Sequence, residues 1–404
     1  MASDTLSVLT SGAAEIVPEG GLQEKLTLGR PLRVKLGLDP TAADVTLGWA
    51  VVLRKLRQFQ DQGHIAVLIV GDFTARVGDP SGRSDKRPRL SKEVVHAYAD
   101  RLLGQFRAVL SDERLEVRYN SEWLEPMDME DVLKLTASYT VARMLERNDF
   151  AQRYRAGRAI SIMEFMYPLL QGMDSVAVES DIELGGRDQL FNNLVGRELQ
   201  RDYGQDPQVV LTMPLLEGID GVEKMSQSLG NYVGIFEPAD EMFGKLMSIP
   251  DSLVAKYLRL CTPLGPEEVD DIERGLNDGT LLPVEQKRRM AREIVDLYHG
   301  RGAGSRAEVA FDLVHRERGV PENVAETPIP ASVIVDGRVW LPRLLVTLGR
   351  ASSNSEARRL IDQGGVRLDS QAVSDSESEI PLEELTGKVL QIGRRWFGRL
   401  EAPG

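Results

Sequence analysis

The hydrophobic pattern of residues 34–70 predicts a strand, a helix and a second strand. Apolar side chains alternate with others from Val34 to Leu38, and from Val45 to Phe59 they recur at every third or fourth position. The second spacing is typical of a helix that buries one face. A continuous apolar run from Ile65 to Val70 then predicts a buried strand. The segment is therefore predicted to be a βαβ unit.

The turn between the first strand and the helix is predicted to face a ligand. Asp44 or Thr41 can cap the first turn of the helix, and Gly63 ends it. In open parallel sheets, ligands bind outside the carboxyl ends of the strands, and the free N–H groups of the next helix attract anions. The residues from Asp39 to Trp49 should therefore face a substrate such as a phosphate. Ordinary fold architecture is the alternative, because every α/β protein has such a turn.

Two further segments carry polar residues where a ligand is expected. A glycine-rich loop, from Gly71 to Arg83, follows the second strand at the same sheet edge. The apolar helix predicted from Ile160 to Asp174, which Pro168 kinks, has a polar stripe at spacings of four and three, formed by Tyr167, Gln171 and Asp174. Such a stripe either meets water or surrounds a buried polar ligand, and its apolar flanks favour the ligand.

The remaining pattern predicts alternating helices and strands up to residue 231 and then mainly helices. It predicts helices at 91–110 and 128–154, strands at 115–120 and 209–212, a strand, turn and helix start at 181–189, and a polar loop at 224–231. The charged helices of 128–154 form either a solvated insertion or a dimer contact. Residues 236 to about 318 are predicted to be helical and 326–330 to be a linker.

The tail from Val339 is predicted to be a small α+β module that contacts RNA. Its helix and last strand carry Arg343, Arg358, Arg359, Arg367, Arg394, Arg395 and Arg399, with Trp396 and Phe397 among them. Cations mixed with aromatic rings suit RNA, although the acidic stretch 375–379 offsets them. A plain protein surface is the alternative.

Composition and charge exclude several classes of protein. The chain has 404 residues, 42% of them hydrophobic, and a net charge of −13, which argues against nonspecific DNA binding. The single cysteine, Cys261, excludes an intramolecular disulfide and fits a reducing compartment. We find no apolar run of membrane-spanning length, no signal peptide pattern and no metal-ligand spacing among the four histidines. We therefore expect a cytoplasmic protein with no membrane, DNA or metal partner.

The motifs, taken in order, resemble one family. They read GLDPTAADVTLGW, GDFTARVGDPSG, YPLLQGMD, ELGGRDQ, KMSQSLGNYVG and, near the end, ARRLI followed by GGVRLD. This order resembles the bacterial tyrosyl-tRNA synthetases whose carboxy-terminal module is of the S4 RNA-binding type. The resemblance covers nearly the whole chain.

The resemblance implies a fold, a reaction and partners. The fold is a Rossmann-type parallel-sheet catalytic domain at 1–235 with a connective insertion at about 121–180, a helical anticodon-binding-like domain at 236–328 and an S4-like domain at 337–404. L-Tyrosine would attack the α-phosphate of ATP to give tyrosyl-adenylate, and the tyrosyl group would pass to tRNA(Tyr). ATP, with Mg²⁺ on its phosphates, is a substrate, no prosthetic group is implied, and the protein would be a homodimer.

Motif positions also imply site residues. Those for tyrosine are Lys35, Asp79, Tyr167, Gln171, Asp174 and Gln189, with Asp174 accepting from the phenol. Those for the nucleotide are Asp39, Gly48, Gly186, Arg187, Asp188 and Lys224. Those implied in catalysis at the phosphates are Thr41, Thr46, Trp49, Lys224 and Gln227.

The chain departs from the family pattern at the phosphate signatures. Thr46 and Trp49 stand where class I synthetases carry the two histidines of His-x-Gly-His, and Gln227 stands at the second lysine of Lys-Met-Ser-Lys-Ser. Arg187 replaces a threonine beside the expected nucleotide and offers a cation in return. Two functions stay open: a tyrosine–tRNA ligase, and a paralogue that keeps the tyrosine pocket but has lost or altered ATP activation for a biosynthetic, regulatory or RNA-binding role.

Overall fold

The computed structural model describes residues 2–40, 44–79, 91–315, 324–393 and 396–403. The chain divides into two compact units, one of residues 1–238 and 245–298 and the other of residues 239–244 and 299–404. The finer division into three domains at 1–235, 236–328 and 337–404 stays a prediction. None of the helices in the described ranges is both long and apolar enough to cross a membrane.

The first unit is built on a six-stranded sheet in the order β1-β6-β5-β2-β3-β4. The strands are β1 (Glu15–Val17), β2 (Arg33–Leu38), β3 (Ile65–Val70), β4 (Leu115–Tyr119), β5 (Ile182–Gly186) and β6 (Val209–Met213). All neighbours pair in parallel except β1, which runs antiparallel to β6 at the edge. The predicted α/β fold with a parallel sheet is confirmed.

The helices of this unit lie in the connections between its strands and in the insertion. They are α1 (Ala2–Thr10), α2 (Gly21–Leu26), α3 (Leu47–Asp61), α4 (Thr74–Val77), α5 (Lys92–Phe106), α6 (Ser121–Leu124), α7 (Met129–Ala137), α8 (Val141–Met144), α9 (Asn148–Arg155), α10 (Ile162–Ala177) and α11 (Leu190–Asp202). Farther along the chain are α12 (Ala239–Ser248), α13 (Val254–Cys261), α14 (Pro266–Asn277) and α15 (Pro283–His299).

The βαβ unit predicted for residues 34–70 is present as β2, α3 and β3. Strand β3 is buried along nearly its whole length, as a continuous apolar run in a parallel sheet requires. Helix α3 buries one face through Leu53, Leu56 and Phe59. The cap prediction is wrong in one respect: the N-cap is Thr46, not Asp44, and Thr41 lies outside the described residues.

The direction of chain progression reverses between β2 and β5. From β2 the chain runs outward through β3 to β4, and it then crosses back to β5 and continues to β6. Such a switch leaves a crevice at the carboxyl ends of the two central strands. The ends of β2 and β5, at Leu38 and Gly186, therefore define the ligand edge.

The second unit contains the S4-like tail. Its helices are α16 (Ala303–His315), α17 (Leu341–Thr347), α18 (Asn354–Asp362) and α19 (Leu382–Leu385). Its strands are β7 (Glu326–Pro328), β8 (Ile334–Val335), β9 (Arg338–Trp340), β10 (Val366–Leu368), β11 (Gln371–Ala372), β12 (Glu379–Pro381), β13 (Val389–Ile392) and β14 (Trp396–Glu401).

One element of this unit differs from its prediction. The segment predicted as a linker forms β7, which pairs in parallel with β14 from Glu326 to Pro328. Proline is tolerated there because β7 is an edge strand and needs no N–H toward solvent. A linker pattern and an edge strand therefore look alike in sequence.

Candidate active site

Asp39, Thr74 and Tyr167 form a buried acceptor cluster at the end of β2. The hydroxyl of Tyr167 donates to Asp39 Oδ2 at 2.8 Å, and the hydroxyl of Thr74 donates to Asp39 Oδ1 at 2.7 Å. Burial raises the pKa of Asp39 to about 7. Only glycine fits at position 71, because a Cβ there would lie 2.0 Å from Asp39 Oδ1. The fold thus places Asp39, which is predicted to bind the nucleotide, in hydrogen-bond contact with Tyr167, which is predicted to bind tyrosine.

Amide side chains form a second set of hydrogen bonds in the site. The amide nitrogen of Asn192 donates to Gln171 Oε1 at 3.0 Å and to Gln189 Oε1 at 3.1 Å. Gln189 Nε2 in turn donates to Asp79 Oδ2 at 3.0 Å. The side chains of Gln171, Gln189 and Asp79, all predicted for tyrosine, are therefore held in one network by a residue that sequence reasoning missed.

Asp174 lies at the buried end of the polar stripe on α10. The indole nitrogen of Trp123 donates to Asp174 Oδ1 at 3.0 Å, and Asn120 also bonds to this carboxyl group. Burial raises the pKa of Asp174 to about 7, against the opposing effect of the nearby Lys35 ammonium. A buried carboxylate fixed by two donors is a suitable acceptor for one further O–H group.

Lys35 is fully buried, and its ammonium contacts three protein groups. Its ammonium forms an ion pair with Glu183 at 2.9 Å and donates to Ser175 Oγ at 2.6 Å and to the Gln171 carbonyl at 3.3 Å. Protein groups therefore hold the ammonium in this structure, and its assignment to tyrosine stays a prediction. A signal for this pair existed in the sequence, because Lys35 and Glu183 interrupt two apolar strands and face each other in register.

The amino end of α3 offers no free N–H group in this structure. Leu47 N–H donates to the Val233 carbonyl at 2.8 Å, Gly48 N–H points to Met225 Sδ at 3.3 Å and Trp49 N–H donates to the Thr46 hydroxyl at 3.3 Å. The prediction of free donors for an anion here is wrong, because the loop after β6 and the N-cap already satisfy them.

The three residues at the altered signature positions are neutral and differ in exposure. Thr46 is 3% exposed and serves as the N-cap, whereas Trp49 is 40% exposed, with its ring 6.4 Å from that of Phe106. Gln227 donates its amide to the Asp44 carbonyl. Trp49 is thus the signature side chain most open to a ligand.

Both cations predicted for the nucleotide side are paired with carboxylates. Lys224 Nζ lies 3.0 Å from Asp188 Oδ2, which brings two predicted nucleotide residues together. Arg187 Nε lies 3.4 Å from Glu15 Oε1, so the proposed replacement cation is tied to the edge strand β1. At Gly186 a Cβ would lie 2.7 Å from Asp188 Oδ1, so glycine permits a close approach there, whereas at Gly48 a Cβ would make only an ordinary contact with the Met225 Cβ at 3.5 Å.

Comparison with known families and proteins shows the family of this chain. The family model described as tRNA synthetases class I (W and Y) matches residues 27–316, and the S4 domain model matches residues 339–384. The chain belongs to the class I tRNA synthetases of the tryptophan and tyrosine type. Within them it falls among the tyrosyl-tRNA synthetases that carry an S4 domain.

Individual relatives are similar over nearly the full chain. The tyrosine–tRNA ligase of Moorella thermoacetica is 51% identical over 399 residues, which is 98% of this chain and 95% of that protein. The tyrosine–tRNA ligase of Deinococcus radiodurans is 47% identical over 406 residues, 100% of this chain and 97% of that protein.

Solved structures share the fold. The tyrosyl-tRNA synthetase of Archaeoglobus fulgidus, complexed with L-tyrosine, aligns with a TM-score of 0.62 at 22% identity over 76% of this chain and 99% of that one. A truncated mitochondrial tyrosyl-tRNA synthetase of Aspergillus nidulans aligns with a TM-score of 0.62 at 20% identity, over 78% of this chain and 94% of that one.

Proposed function

We propose that this protein is a tyrosine–tRNA ligase that activates L-tyrosine with ATP to tyrosyl-adenylate and transfers the tyrosyl group to tRNA(Tyr). The observation that carries the proposal is the buried carboxyl group of Asp174, held by Trp123 on the face of α10 that also carries Tyr167 and Gln171. We place the tyrosine pocket along this face. A phenolic O–H satisfies this acceptor, whereas a phenylalanine ring leaves it unpaired at a large free-energy cost.

The other end of the pocket suits the charged groups of an amino acid. Asp79 and the Tyr167 hydroxyl are acceptors for an α-ammonium group, and Gln189 lies between Asp79 and Asn192, toward the carboxylate and the α-phosphate. Asp39, Gly48, Gly186 and Asp188 would frame the adenosine and its ribose. Mg²⁺ would arrive as part of the MgATP substrate.

Catalysis of activation would be electrostatic, with donors placed where negative charge develops on the phosphates. Lys224 and Arg187 are the cations that the described residues offer, and each would have to exchange its carboxylate partner for a phosphate. Thr41, assigned to the same step, lies outside the described residues. Thr46, Trp49 and Gln227 contribute no charge.

Tyrosine-dependent exchange between ATP and pyrophosphate tests the first step, and charging of tRNA(Tyr) tests the second. We expect both with the purified protein, and we expect phenylalanine to give no exchange. Absence of exchange would overturn the ligase proposal, whereas exchange without charging would point to a different acceptor for the tyrosyl group.

A specific observation favours a second candidate, the paralogue with altered ATP activation. The N–H groups at the start of α3 are occupied by protein acceptors, and the signature side chains beside them are neutral. A site of this kind keeps tyrosine recognition while stabilising polyphosphate charge less well. In this candidate, tyrosine binds but ATP–pyrophosphate exchange is absent.

The affinity for L-tyrosine is expected to rise about tenfold between pH 6 and pH 8. The pKa of Asp174 is raised to about 7, and its carboxylate form is the stronger acceptor for the phenol. Affinity therefore increases as pH rises through about 7. Isothermal titration calorimetry across this range measures the effect. In the Asp174→Asn variant, the pH dependence of tyrosine affinity should shrink to the part contributed by Asp39, whose pKa is also about 7. A wild-type affinity that does not change with pH would contradict the assignment of Asp174 as the acceptor for the phenol.

We propose that the insertion mediates homodimerisation. Its helices expose Met129, Leu133, Val141 and Ile162, the last with 80% of its surface accessible. An apolar face of this kind is typical of an interface.

Ile162→Glu is accordingly expected to convert the dimer to a monomer, because the charge would be desolvated at the contact. Sedimentation analysis measures the change. Val309→Glu, at a similarly exposed position outside the insertion, is the control and should leave the mass unchanged. A dimeric Ile162→Glu variant would place the contact elsewhere.

The S4 domain is proposed to bind tRNA(Tyr). Arg350 lies over the Trp396 ring at 4.8 Å, and Arg358 lies over the Trp340 ring at 5.0 Å, while also pairing with Glu377 at 3.1 Å. Part of the predicted basic surface is thus neutralised by the acidic stretch. Arg394 and Arg395, which are predicted to belong to this surface, lie outside the described residues.

The cytoplasmic location of the protein stays a prediction from sequence.

A further inference from the structure

Arg147 brings a buried positive charge from the insertion to the tyrosine site. It is the N-cap residue of α9, in the turn that follows α8, and only 7% of its side chain is exposed. Its Nη1 donates to Asn192 Oδ1 at 3.2 Å, and Asn192 is the residue that bonds both Gln171 and Gln189. The insertion therefore reaches directly into the amide network of the pocket.

One nitrogen of this guanidinium has no hydrogen-bond partner among the residues that the structure describes. Nε pairs with Asp149 at 2.7 Å, and the guanidinium lies over the Phe150 ring at 4.9 Å, whereas Nη2 is buried without a hydrogen bond. Nη2 lies 4.0 Å from Oδ1 of the Asp79 carboxylate. A buried charged donor without a partner is costly, so its presence points to a ligand that completes the hydrogen bonding.

The pair of charges matches a zwitterion. Asp79 presents a carboxylate that is partly open to the pocket, and Arg147 presents an N–H donor beside it. The α-ammonium and α-carboxylate of a free amino acid are also adjacent and opposite in sign. Resting on the proposed function, we propose that Arg147 binds the α-carboxylate of L-tyrosine while Asp79 binds its α-ammonium group.

Tyramine, which is tyrosine without its carboxylate, separates this role from a structural one. Wild-type protein should bind L-tyrosine more tightly than tyramine. Arg147→Met keeps the packing on Phe150 but removes the charge, and should weaken tyrosine binding about tenfold to a hundredfold. The same variant should bind tyramine as well as or better than wild type does, because Asp79 loses its positive neighbour.

Arg143→Met is the matched control. Arg143 belongs to the same insertion, lies over the Tyr139 ring and pairs with Glu198, but its side chain is half-exposed. It should leave both affinities unchanged. Calorimetric titrations without nucleotide give all the values required.

Opposite effects on the two ligands support the proposal. Equal weakening of tyrosine and tyramine in Arg147→Met would overturn it, since that outcome shows a purely structural role through Asn192. Equal binding of both ligands by wild type would also overturn it while leaving the ligase proposal intact. A wild type that binds neither ligand would instead overturn the proposed function itself, together with this inference.

Discussion

Trp49→His combined with Gln227→Lys is expected to raise the rate of tyrosine-dependent ATP–pyrophosphate exchange by about two orders of magnitude. The two substitutions restore the residue types of the family signatures at positions that are predicted to face the nucleotide. A donor aimed at charge developing on a phosphate contributes about 3–4 kcal/mol, and two donors that share one polyphosphate contribute less than their sum. Pyrophosphate exchange at saturating tyrosine measures the change.

Thr46 is left in place in this variant for a structural reason. Its hydroxyl caps α3 and is almost fully buried, so that replacing it would cost about 1 kcal/mol of stability. Trp49→Phe with Gln227→Met is the control, because it alters the same positions without adding a donor. If the restored variant exchanges no faster than wild type while binding tyrosine equally well, the missing donors do not limit activation.

Lys35→Met is expected to lower the free energy of unfolding by about 3–5 kcal/mol. The substitution preserves most of the side-chain volume but leaves the Glu183 carboxylate buried without its cation. Adding Glu183→Gln removes that charge and should recover a large part of the loss. Urea unfolding followed by circular dichroism, analysed as a double-mutant cycle, gives the coupling between the two residues.

Lys55→Met is the matched control for this prediction. Lys55 is also buried, but it donates to the backbone carbonyls of Val8 at 3.0 Å and Ser11 at 2.9 Å, and no carboxylate in the described part of the chain pairs with it. Burial lowers its pKa to about 8. Its loss leaves no uncompensated charge and should cost clearly less than Lys35→Met. Strict additivity of Lys35→Met and Glu183→Gln would show that the ion pair is not a coupled unit.

The polar stripe on α10 shows what can be predicted locally. Tyr167, Gln171 and Asp174 share one face because of their spacing alone, and each of them is hydrogen-bonded to another side chain in the structure. Helical periodicity is a property of neighbouring residues, so this part of the site needs no knowledge of distant contacts.

Other parts of the site depend on residues far apart in the chain. The donors at the start of α3 look free in sequence, yet Val233 and Met225 occupy two of them. Arg147 sits in a segment whose charge predicts a solvated helix, and only the packing of the insertion brings it to Asp79. Local residue spacing predicts neither the occupied donors of α3 nor the position of Arg147 beside Asp79.

The sequence by itself determined the family, the α/β class and the face of α10 that holds the pocket, because motif order and periodicity are local and survive any arrangement of loops. Only the tertiary structure decided which charges are paired, which helix donors are satisfied and that the insertion supplies a cation to the pocket. The physical reason is that ion pairs and caps form between residues that are far apart in the chain and meet only when the crossover connections bring them to the same sheet edge. Their energies depend on burial, which no local pattern specifies.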